Sequence, residues 1–248
     1  MLVLLPPSQT KAEGGDGGPL DLAALSFPDL DPVRRKLVAA LVDLARDVPA
    51  SLAALGLSAR QEHEVARNAA LLDSPTMPAL HRYTGVLYDA LGFGTLTTRQ
   101  QRTAGRRLAV ASALFGVLRA TDPIPAYRCS GDSVLPGVGP LRELWRPAIE
   151  PVVGECGELL VDLRSGTYAT LARLPDAVTV RVVTGQGLAI SHFNKAYKGR
   201  LARALALAPR EPTSVTALVR VARAAGLTLE RTGERSLDLV AGNSVAPA

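Results

Sequence analysis

The sequence predicts an α+β fold, a mixed α/β arrangement of helices and a mixed β sheet. Hydrophobic residues make up 47% of the 248 residues, which is enough for a packed core and argues against a globally disordered chain. Apolar residues recur at helical spacing in some segments, and short runs rich in β-branched residues lie between Gly or Pro breaks in others. Because the strand-like runs are far apart in the chain, we expect one mixed sheet built from distant strands, in a single domain spanning residues 1–248.

In the first half of the chain, one strand is followed mainly by helices. Leu2–Leu5 is an apolar run that ends at Pro6 and Pro7, since a proline has no N–H to donate to a strand ladder. Asp31 is placed to cap the first long helix, with Pro32 at its first position. The other elements predicted here are a mobile Gly-rich loop at 11–19, a helix at 33–47, a helical piece ending at Leu55 and Gly56, helices at 58–72 and 77–91, a helix that follows Thr98 and carries Arg99, Arg102, Arg106 and Arg107, and a buried strand at 109–118.

The second half of the chain is predicted to alternate between helices and short strands. A turn-rich segment at 121–140 precedes a helix at 141–153. Runs of β-branched residues between Gly and Pro breaks then indicate strands. These strands are predicted at 159–163, 178–183 and 188–193, further helices at 195–207 and 214–225, and a terminal hairpin at 227–230 and 237–240.

The distribution of charge favours a basic cleft over a uniformly basic surface. The formal net charge is +5, which permits an anionic partner but is weaker than the charge of a dedicated chromatin protein. Acidic residues concentrate between residues 13 and 31, whereas the excess positive charge lies at 99–107, at Arg119 and Arg128, and at 195–203. The alternative is that these cations belong to ordinary solvated helix faces.

Several kinds of protein are disfavoured by what the chain lacks. The two cysteines, Cys129 and Cys156, have neither the spacing of a zinc site nor that of a disulfide framework. The Glu-x-x-His repeats of di-iron bundles are absent, and no apolar run approaches the ~20 residues needed to cross a bilayer. The opening apolar run is too short for a signal peptide and has no basic residues before it. We therefore expect a cytoplasmic protein with no membrane partner, no metal and no cofactor.

Residues 48–72 resemble a helix-hairpin-helix. Gly56, an apolar residue and Ser58 join two predicted helices. In such hairpins the backbone N–H groups at a helix N-terminus bind a phosphate without reading base sequence. The same pattern also joins many ordinary pairs of helices, so both interpretations stay open.

Arg119 and Arg128 form the first candidate anion site. Their planar guanidinium groups match the geometry of phosphate or carboxylate. Asp122 lies between them in the sequence. It either holds the two cations apart within the site, or it is a turn residue that pairs with one arginine and ties down the loop.

The second candidate anion site lies at 194–200. Lys195, Lys198 and Arg200 follow a predicted strand and open a helix, so backbone N–H groups at the helix N-terminus would add to their charge and favour phosphate. Asn194 is either part of this site or the N-cap of the helix. Gly199 costs about 1 kcal/mol relative to Ala inside a helix, a cost that the close approach of a ligand or of another backbone would explain.

Polar residues of catalytic type accompany these cations, at Ser8, Thr10, Lys11, Asp122, Tyr127 and Asn194. In an enzyme, the residues that we expect to carry the chemistry are Ser8, Lys11, Asp122 and Tyr127. Ser8, Asp122 and His192 can be written as a hydrolase triad, but the Gly-x-Ser-x-Gly element of such enzymes is absent.

Three short segments carry a resemblance to a known family. They are Met-Leu-Val-Leu-Leu-Pro-Pro-Ser-Gln-Thr-Lys at 1–11, Leu-Phe-Gly-Val-Leu-Arg continuing through Asp122 to Pro-Ala-Tyr-Arg at 114–128, and Asn-Lys-Ala-Tyr-Lys-Gly-Arg at 194–200. In order and spacing the chain resembles the YaaA family of peroxide-stress proteins, in its high-GC actinobacterial form. The resemblance implies helices wrapped around a β core with a positively charged cleft and a helix-hairpin-helix. It also implies binding to DNA and protection against iron-driven damage, with no established enzymatic activity.

The chain departs from the family pattern at several positions. The commoner opening has Ser before the Pro and Lys two residues after it, whereas the order here is Pro-Ser-Gln-Thr-Lys at 7–11. Gln9 stands where high-GC relatives usually have Glu, and because an amide does not titrate, an acid–base role cannot be carried over to this position. Cys129 is also unusual for the family. It is either a peroxide-sensing thiol whose pKa is lowered by the neighbouring Arg128, or an incidental buried residue.

Two functional hypotheses follow. The leading one is a non-enzymatic protein that binds double-stranded DNA without sequence specificity during peroxide stress. Its expected contacts are Lys11, Arg119, Arg128, Asn194, Lys195, Lys198 and Arg200. The alternative is an enzyme acting on a small anionic or nucleotide-like substrate in the same cleft. A closed pocket of a few hundred Å³ would favour the small ligand, and an open groove would favour the duplex.

Overall fold

A computed structural model describes residues 1–154, 156–186, 188 and 194–242 of the chain. The strands are β1 (Leu2–Leu5), β2 (Met77–Pro78), β3 (Leu108–Ser112), β4 (Gly116–Arg119), β5 (Pro123–Ile124), β6 (Leu160–Asp162), β7 (Val178–Val183), β8 (Thr228–Arg231) and β9 (Ser236–Val240). The helices are α1 (Asp31–Leu44), α2 (Val48–Leu55), α3 (Glu62–Ala69), α4 (Ala79–Arg82), α5 (Val86–Leu91), α6 (Thr98–Arg107), α7 (Leu141–Gly154), α8 (Gly166–Ala169), α9 (Asn194–Ala206) and α10 (Val215–Ala224).

Seven of these strands form one mixed sheet in the order β4-β3-β1-β6-β7-β9-β8. The five inner strands are parallel, and the two outer strands pair antiparallel with their neighbours. β1 is buried along its whole length, as a central parallel strand covered on both faces should be. The predicted α+β fold, with a sheet assembled from distant strands, is confirmed.

The connections of the sheet diverge between β1 and β6, which are adjacent. The chain leaves β1 and returns in β3 on one side, whereas it leaves β6 and returns in β7 on the other side. In open α/β sheets, ligands bind beyond the carboxyl ends of the strands at such a point of divergence. The segments that follow β1 and β6 are therefore the places where a site is expected.

The single strand predicted at 109–118 is wrong, because this segment folds into the β3–β4 hairpin. The Ser112 hydroxyl accepts hydrogen bonds from the backbone N–H groups of Leu114 and Phe115, which turns the chain at this point. Gly116 then adopts a positive φ of 74°, where a Cβ would lie 2.6 Å from the Trp145 ring. A side-chain hydrogen bond and a distant tryptophan thus decide a turn that an apolar run conceals.

The continuous helix predicted at 77–91 is also wrong. The segment begins as β2, which pairs with β5, and continues as two short helices, α4 and α5. The break between the helices lies at 83–85, where Lys11 forms a β-bridge with Tyr83, the Thr84 N–H donates to the Thr10 carbonyl, and Gly85 has a φ of 99°. Pairing with the opening segment of the chain interrupts the helix.

The loop at 11–19, predicted to be mobile, is held by a buried arginine. Arg82 donates hydrogen bonds to the carbonyls of Ala12, Gly14 and Pro75 at 2.6–3.0 Å. The Gly17 N–H donates to the Thr76 carbonyl at 3.0 Å.

The other predicted elements are present with shifts at their ends. α1 begins at Asp31, so this residue lies in the first turn, paired with Arg34, instead of capping the helix from outside. The strand predicted at 188–193 lies outside the described residues except for Leu188. Within the described ranges, no helix is both long and apolar enough to span a membrane.

Candidate binding cleft

A cleft of about 650 Å³ lies beyond the carboxyl ends of β1 and β6. Its walls come from segments that are far apart in sequence and that the sheet brings together. The lining residues are 6–10 after β1, 84–88 at the start of α5, 130–132, 164–168 after β6, and Asn194, Lys195 and Lys198 on α9. The cleft therefore occupies the place where the topology predicts a ligand site.

The wall after β1 is a row of hydroxyl groups. The hydroxyl oxygens of Ser8 and Thr10 are 3.0 Å apart, and the Thr10 hydroxyl donates to the Thr84 carbonyl at 3.2 Å. Gly85 faces both side chains, since a Cβ at this position would lie 3.4 Å and 3.5 Å from their oxygens. Tyr88 closes this end by donating to the Pro6 carbonyl at 2.8 Å.

The wall after β6 contains a buried arginine that is fully engaged by protein groups. Arg164 forms a bidentate pair with Asp162, with N–O distances of 2.9 Å and 2.8 Å, and also donates to the carbonyl of Ala172. Its charge is thus compensated within the protein. Ser165 and Thr167, which follow it, also line the cleft.

α9 contributes two lysines with different roles. Lys198 is buried, and its ammonium group donates to the carbonyls of Leu163 and Arg164 at 2.9 Å and 3.1 Å. Burial lowers the pKa of Lys198. Lys195 is exposed at the cleft, and the Asn194 side-chain oxygen has no hydrogen-bond partner among the residues that the structure describes. Lys198 therefore fixes the segment after β6, whereas Lys195 lies exposed at the cleft.

Gly199 allows α9 to pack directly on α5. A Cβ at this position would lie 2.2 Å from the Leu87 carbonyl oxygen and 2.9 Å from the Ala90 Cβ. Of the two explanations that the sequence left open, the structure supports the approach of another backbone. This contact places Lys195 and Lys198 of α9 in the same cleft as the hydroxyl-bearing residues Ser8 and Thr10.

Lys11 lies behind the wall formed by 6–10. Its amine nitrogen is 3.1 Å from the Ser8 carbonyl oxygen and 3.4 Å from the Gln9 carbonyl oxygen. The nitrogen also lies 4.2 Å from the centre of the Tyr127 ring. Burial, together with the charge of the nearby Arg128, lowers the pKa of Lys11 to about 7.

Tyr127 belongs to a buried chain of hydroxyl groups. Its oxygen is 2.7 Å from the hydroxyls of both Tyr83 and Ser112. Burial raises the pKa of Tyr83 to about 12 and also raises the pKa of Tyr127 well above the ordinary value of a phenol. Both phenols therefore stay neutral, and Tyr127 presents its ring face to Lys11.

Other predicted site residues are not brought into the cleft. Arg128 lies behind it and donates to the Gln9 side chain at 2.9 Å. Arg119 lies elsewhere, with its guanidinium on the Arg106 carbonyl at 2.7 Å, and Arg200 is exposed beside the Tyr197 ring.

Asp122 has the geometry of a turn residue. Its carboxylate accepts hydrogen bonds from the Ser26 hydroxyl at 2.7 Å, from the Ser26 N–H at 3.1 Å and from the Arg119 N–H at 2.9 Å. Burial raises the pKa of this carboxyl group. Because Asp122 does not line the cleft and His192 lies outside the described residues, the triad with Ser8 gains no support.

A family model described as peroxide stress protein YaaA matches residues 1–232. The chain belongs to this family. UPF0246 proteins of Corynebacterium efficiens and Corynebacterium glutamicum are 49% and 48% identical to it over 238 residues, which cover 93% of this chain and 95% of each relative. A UPF0246 protein of Streptomyces coelicolor is 42% identical over 239 residues, 93% of this chain and 92% of the relative. The resemblance inferred from the three motifs is confirmed.

In this YaaA family member the helices of the predicted hairpin are present. α2 ends at Leu55 and is capped by Gly56, which has a φ of 62°, and Ser58 and Gln61 cap the next helical turn reciprocally. Glu62 and Glu64 lie in the first turn of α3 and place negative charge where a phosphate would approach. Contact between this hairpin and DNA stays a prediction.

Residues that line the cleft but were not predicted include Tyr88, Asp132 and Arg164. The sequence contained a signal that Arg164 lies at the site, because this residue follows a predicted strand, as Ser8 does. Tyr88 and Asp132 carry no comparable signal, since neither follows a strand of the large sheet.

Proposed function

We propose that this peroxide stress protein acts on a small anionic or nucleotide-like molecule bound in the cleft beyond β1 and β6. The observation that carries the proposal is the cleft itself. Its volume of about 650 Å³ falls within the ~300–1,000 Å³ typical of small-molecule sites, and it lies at the divergence point of a parallel sheet. A duplex, by contrast, needs an open surface along which several phosphates are contacted.

Charge and hydrogen-bonding groups in the cleft support an anionic ligand with polar substituents. Lys195 is exposed there at the start of α9, where the helix dipole also favours negative charge. The hydroxyls of Ser8, Thr10 and Ser165 and the carboxylate of Asp132 are available to a sugar or base.

Calorimetric titration with nucleoside 5′-monophosphates, the matching nucleosides and inorganic phosphate tests this proposal. We expect saturable binding of at least one phosphorylated compound, and binding weakened about 10-fold or more in Lys195→Met, because a hydrogen bond to a charged group contributes about 1.5–3 kcal/mol. Lys36→Met is the matched control, because Lys36 is an exposed lysine on α1 that does not line the cleft. Absence of saturable binding, or equal effects of the two substitutions, would overturn the proposal.

Binding to double-stranded DNA is a second candidate, favoured by a specific feature of α6. Arg99, Arg102 and Arg106 are exposed and lie at helical spacing, and the helix contains no acidic residue. Such a face can contact successive phosphates without reading sequence. The role of limiting iron-driven damage to DNA belongs to this candidate and stays a prediction with it.

Fluorescence anisotropy of a labelled duplex at several salt concentrations tests the second candidate. The logarithm of affinity should fall linearly with the logarithm of salt concentration, with a slope near −0.9 per phosphate contact. Replacing Arg99, Arg102 and Arg106 by Gln should reduce that slope, whereas Arg220→Gln on α10 should leave it unchanged. No binding at low salt would exclude this function.

A further inference from the structure

Three arginines converge on a second cavity, which shares no lining residue with the cleft in the part of the chain that the structure describes. Its volume is about 630 Å³. The lining residues are Arg142, Glu143, Arg146 and Pro147 from α7, and Thr170 and Arg173 from the segment after α8. We call this cavity the arginine pocket. Its described lining contains no aromatic side chain, so it suits a compact charged ligand better than one with a large apolar part.

The α7 helix and one glutamate bring the three arginines together. Arg142 and Arg146 are four residues apart, so they lie on the same helix face, about 6 Å from each other along the axis. Glu150 continues this face by one more turn, and its carboxylate accepts a hydrogen bond from the Arg173 backbone N–H at 2.7 Å. This contact holds the third arginine against the face that carries the other two.

The guanidinium groups of the arginine pocket are weakly engaged by the protein. The polar contacts of Arg146 are long, at 3.4 Å from the Thr170 carbonyl oxygen and 3.6 Å from the Glu150 carboxylate. Its buried Nε has no hydrogen-bond partner among the described residues. Arg142 and Arg173 are exposed, and their side chains form no hydrogen bond or ion pair with the described residues.

This arrangement differs from that of Arg164, which pairs with Asp162 at 2.8–2.9 Å. The carboxylates at the arginine pocket are Glu143 and Glu150, and they do not balance three guanidinium groups. The N-terminal end of α7, where Arg142 lies, also carries the positive end of the helix dipole. Positive charge therefore exceeds negative charge at this surface, and an anion would be stabilised there.

We propose that the arginine pocket binds a compact anion with two linked phosphate groups, of the type of inorganic diphosphate. A planar guanidinium group donates paired hydrogen bonds to phosphate oxygens. Two such groups one helical turn apart, with a third facing them, can engage both phosphates of one ligand. The site is separate from the cleft, so this inference does not depend on the proposed function.

Calorimetric titration with inorganic diphosphate and with orthophosphate, in buffer free of divalent metal, tests the inference. We expect saturable binding of diphosphate, at least 10-fold tighter than that of orthophosphate, which engages fewer arginines. Arg142→Gln and Arg173→Gln should each weaken diphosphate binding by about 10-fold or more. Both side chains are exposed, and the hydrogen bond from residue 173 to Glu150 comes from the backbone, so the fold should be retained.

The matched control is Arg220→Gln, which removes one exposed arginine from α10 and changes the net charge equally. It should alter diphosphate affinity by less than twofold. Absence of saturable binding, or an equal loss in the control, would overturn the site. Loss of diphosphate binding in Lys195→Met, with no loss in the variants of Arg142 and Arg173, would place the ligand in the cleft and would also overturn it.

Modification by phenylglyoxal, which reacts with exposed guanidinium groups, locates the ligand independently. Peptide mapping should show that diphosphate protects Arg142 and Arg173 but not Arg220. Saturable binding without this protection would contradict the assignment. The phosphates of a DNA backbone share the same chemistry, so the labelled duplex is titrated with the same variants. A reduced salt slope in Arg142→Gln and Arg173→Gln, together with no binding of diphosphate, would assign this surface to nucleic acid and overturn the compact ligand.

Discussion

Replacing Gly199 by Ala tests whether direct packing of α9 on α5 holds the cleft together. The added Cβ would lie 2.2 Å from the Leu87 carbonyl oxygen. Carbon–oxygen contacts between packed backbones are normally about 3.3 Å or longer, so the two helices would have to separate by roughly 1 Å. Because the obstructing atom belongs to the backbone, no rotamer change can relieve the contact.

The expected effect is a loss of stability despite the better helix propensity of Ala. Overpacking in a well-packed interior typically costs about 1–3 kcal/mol, and a backbone clash belongs at the upper end of that range. The change from Gly to Ala within a helix returns about 1 kcal/mol. We therefore expect the free energy of unfolding of Gly199→Ala to fall by about 1–2 kcal/mol.

Urea denaturation of the variant and of a matched control measures this effect. Gly105→Ala is the control, because Gly105 is also buried within a helix but its Cβ would meet only the Thr121 methyl group, at an ordinary 3.4 Å. We expect this control to gain up to about 1 kcal/mol from helix propensity. If Gly199→Ala were as stable as the wild type, or if both variants gained stability alike, the account of the α5–α9 contact would be refuted.

Three further predictions concern single side chains. Lys198→Met removes the ammonium group from two backbone carbonyls and should lower the free energy of unfolding, measured in urea, by about 1–3 kcal/mol. Lys195→Met should change it by less than about 0.5 kcal/mol. Equal effects of the two substitutions would contradict the different roles of the two lysines. Because the folded-state pKa of Lys11 of about 7 lies below its ordinary 10.5, the unfolded chain binds the extra proton between these pH values. The free energy of unfolding should therefore rise with pH across that window in the wild type relative to Lys11→Met, and parallel pH profiles of the two proteins would refute this. Burial raises the pKa of the Cys129 thiol to about 11. Iodoacetamide at pH 8 should therefore modify the partly exposed Cys156 before Cys129, as measured by peptide mapping. The reverse order would support the peroxide-sensing interpretation of Cys129.

Local signals in the sequence were sufficient to predict many of the helices and strands. The apolar run before Pro6 gives β1, the cap at Thr97 begins α6, and Ser214 caps α10 by accepting from the Ala217 N–H. These features depend on residues within one or two turns of each other, so a linear pattern contains the information. The order of short motifs was likewise sufficient to recognise the family.

The candidate site could be predicted only in part. Residues after β1 and on α9 were identified because polar groups follow apolar runs, and Ser8, Asn194, Lys195 and Lys198 do line the cleft. Their roles were not predictable, because the partner of each lies far away in the chain. The two carbonyls that bind Lys198 lie 34 and 35 residues from it.

By itself, then, the sequence determined the apolar strands, the capped helices and the family, since these follow from neighbouring residues and from motif order. The tertiary structure decided which cations are compensated within the protein, because burial and a distant carbonyl or carboxylate engage some charged groups, whereas others among the described residues are exposed to solvent. In the tertiary structure the Ser26 hydroxyl donates to the Asp122 carboxylate in a turn, Arg164 pairs with Asp162, and Lys11 lies against the Tyr127 ring. Hydrogen-bond partners and local polarity depend on which surfaces meet in three dimensions, and a one-dimensional pattern does not contain that information.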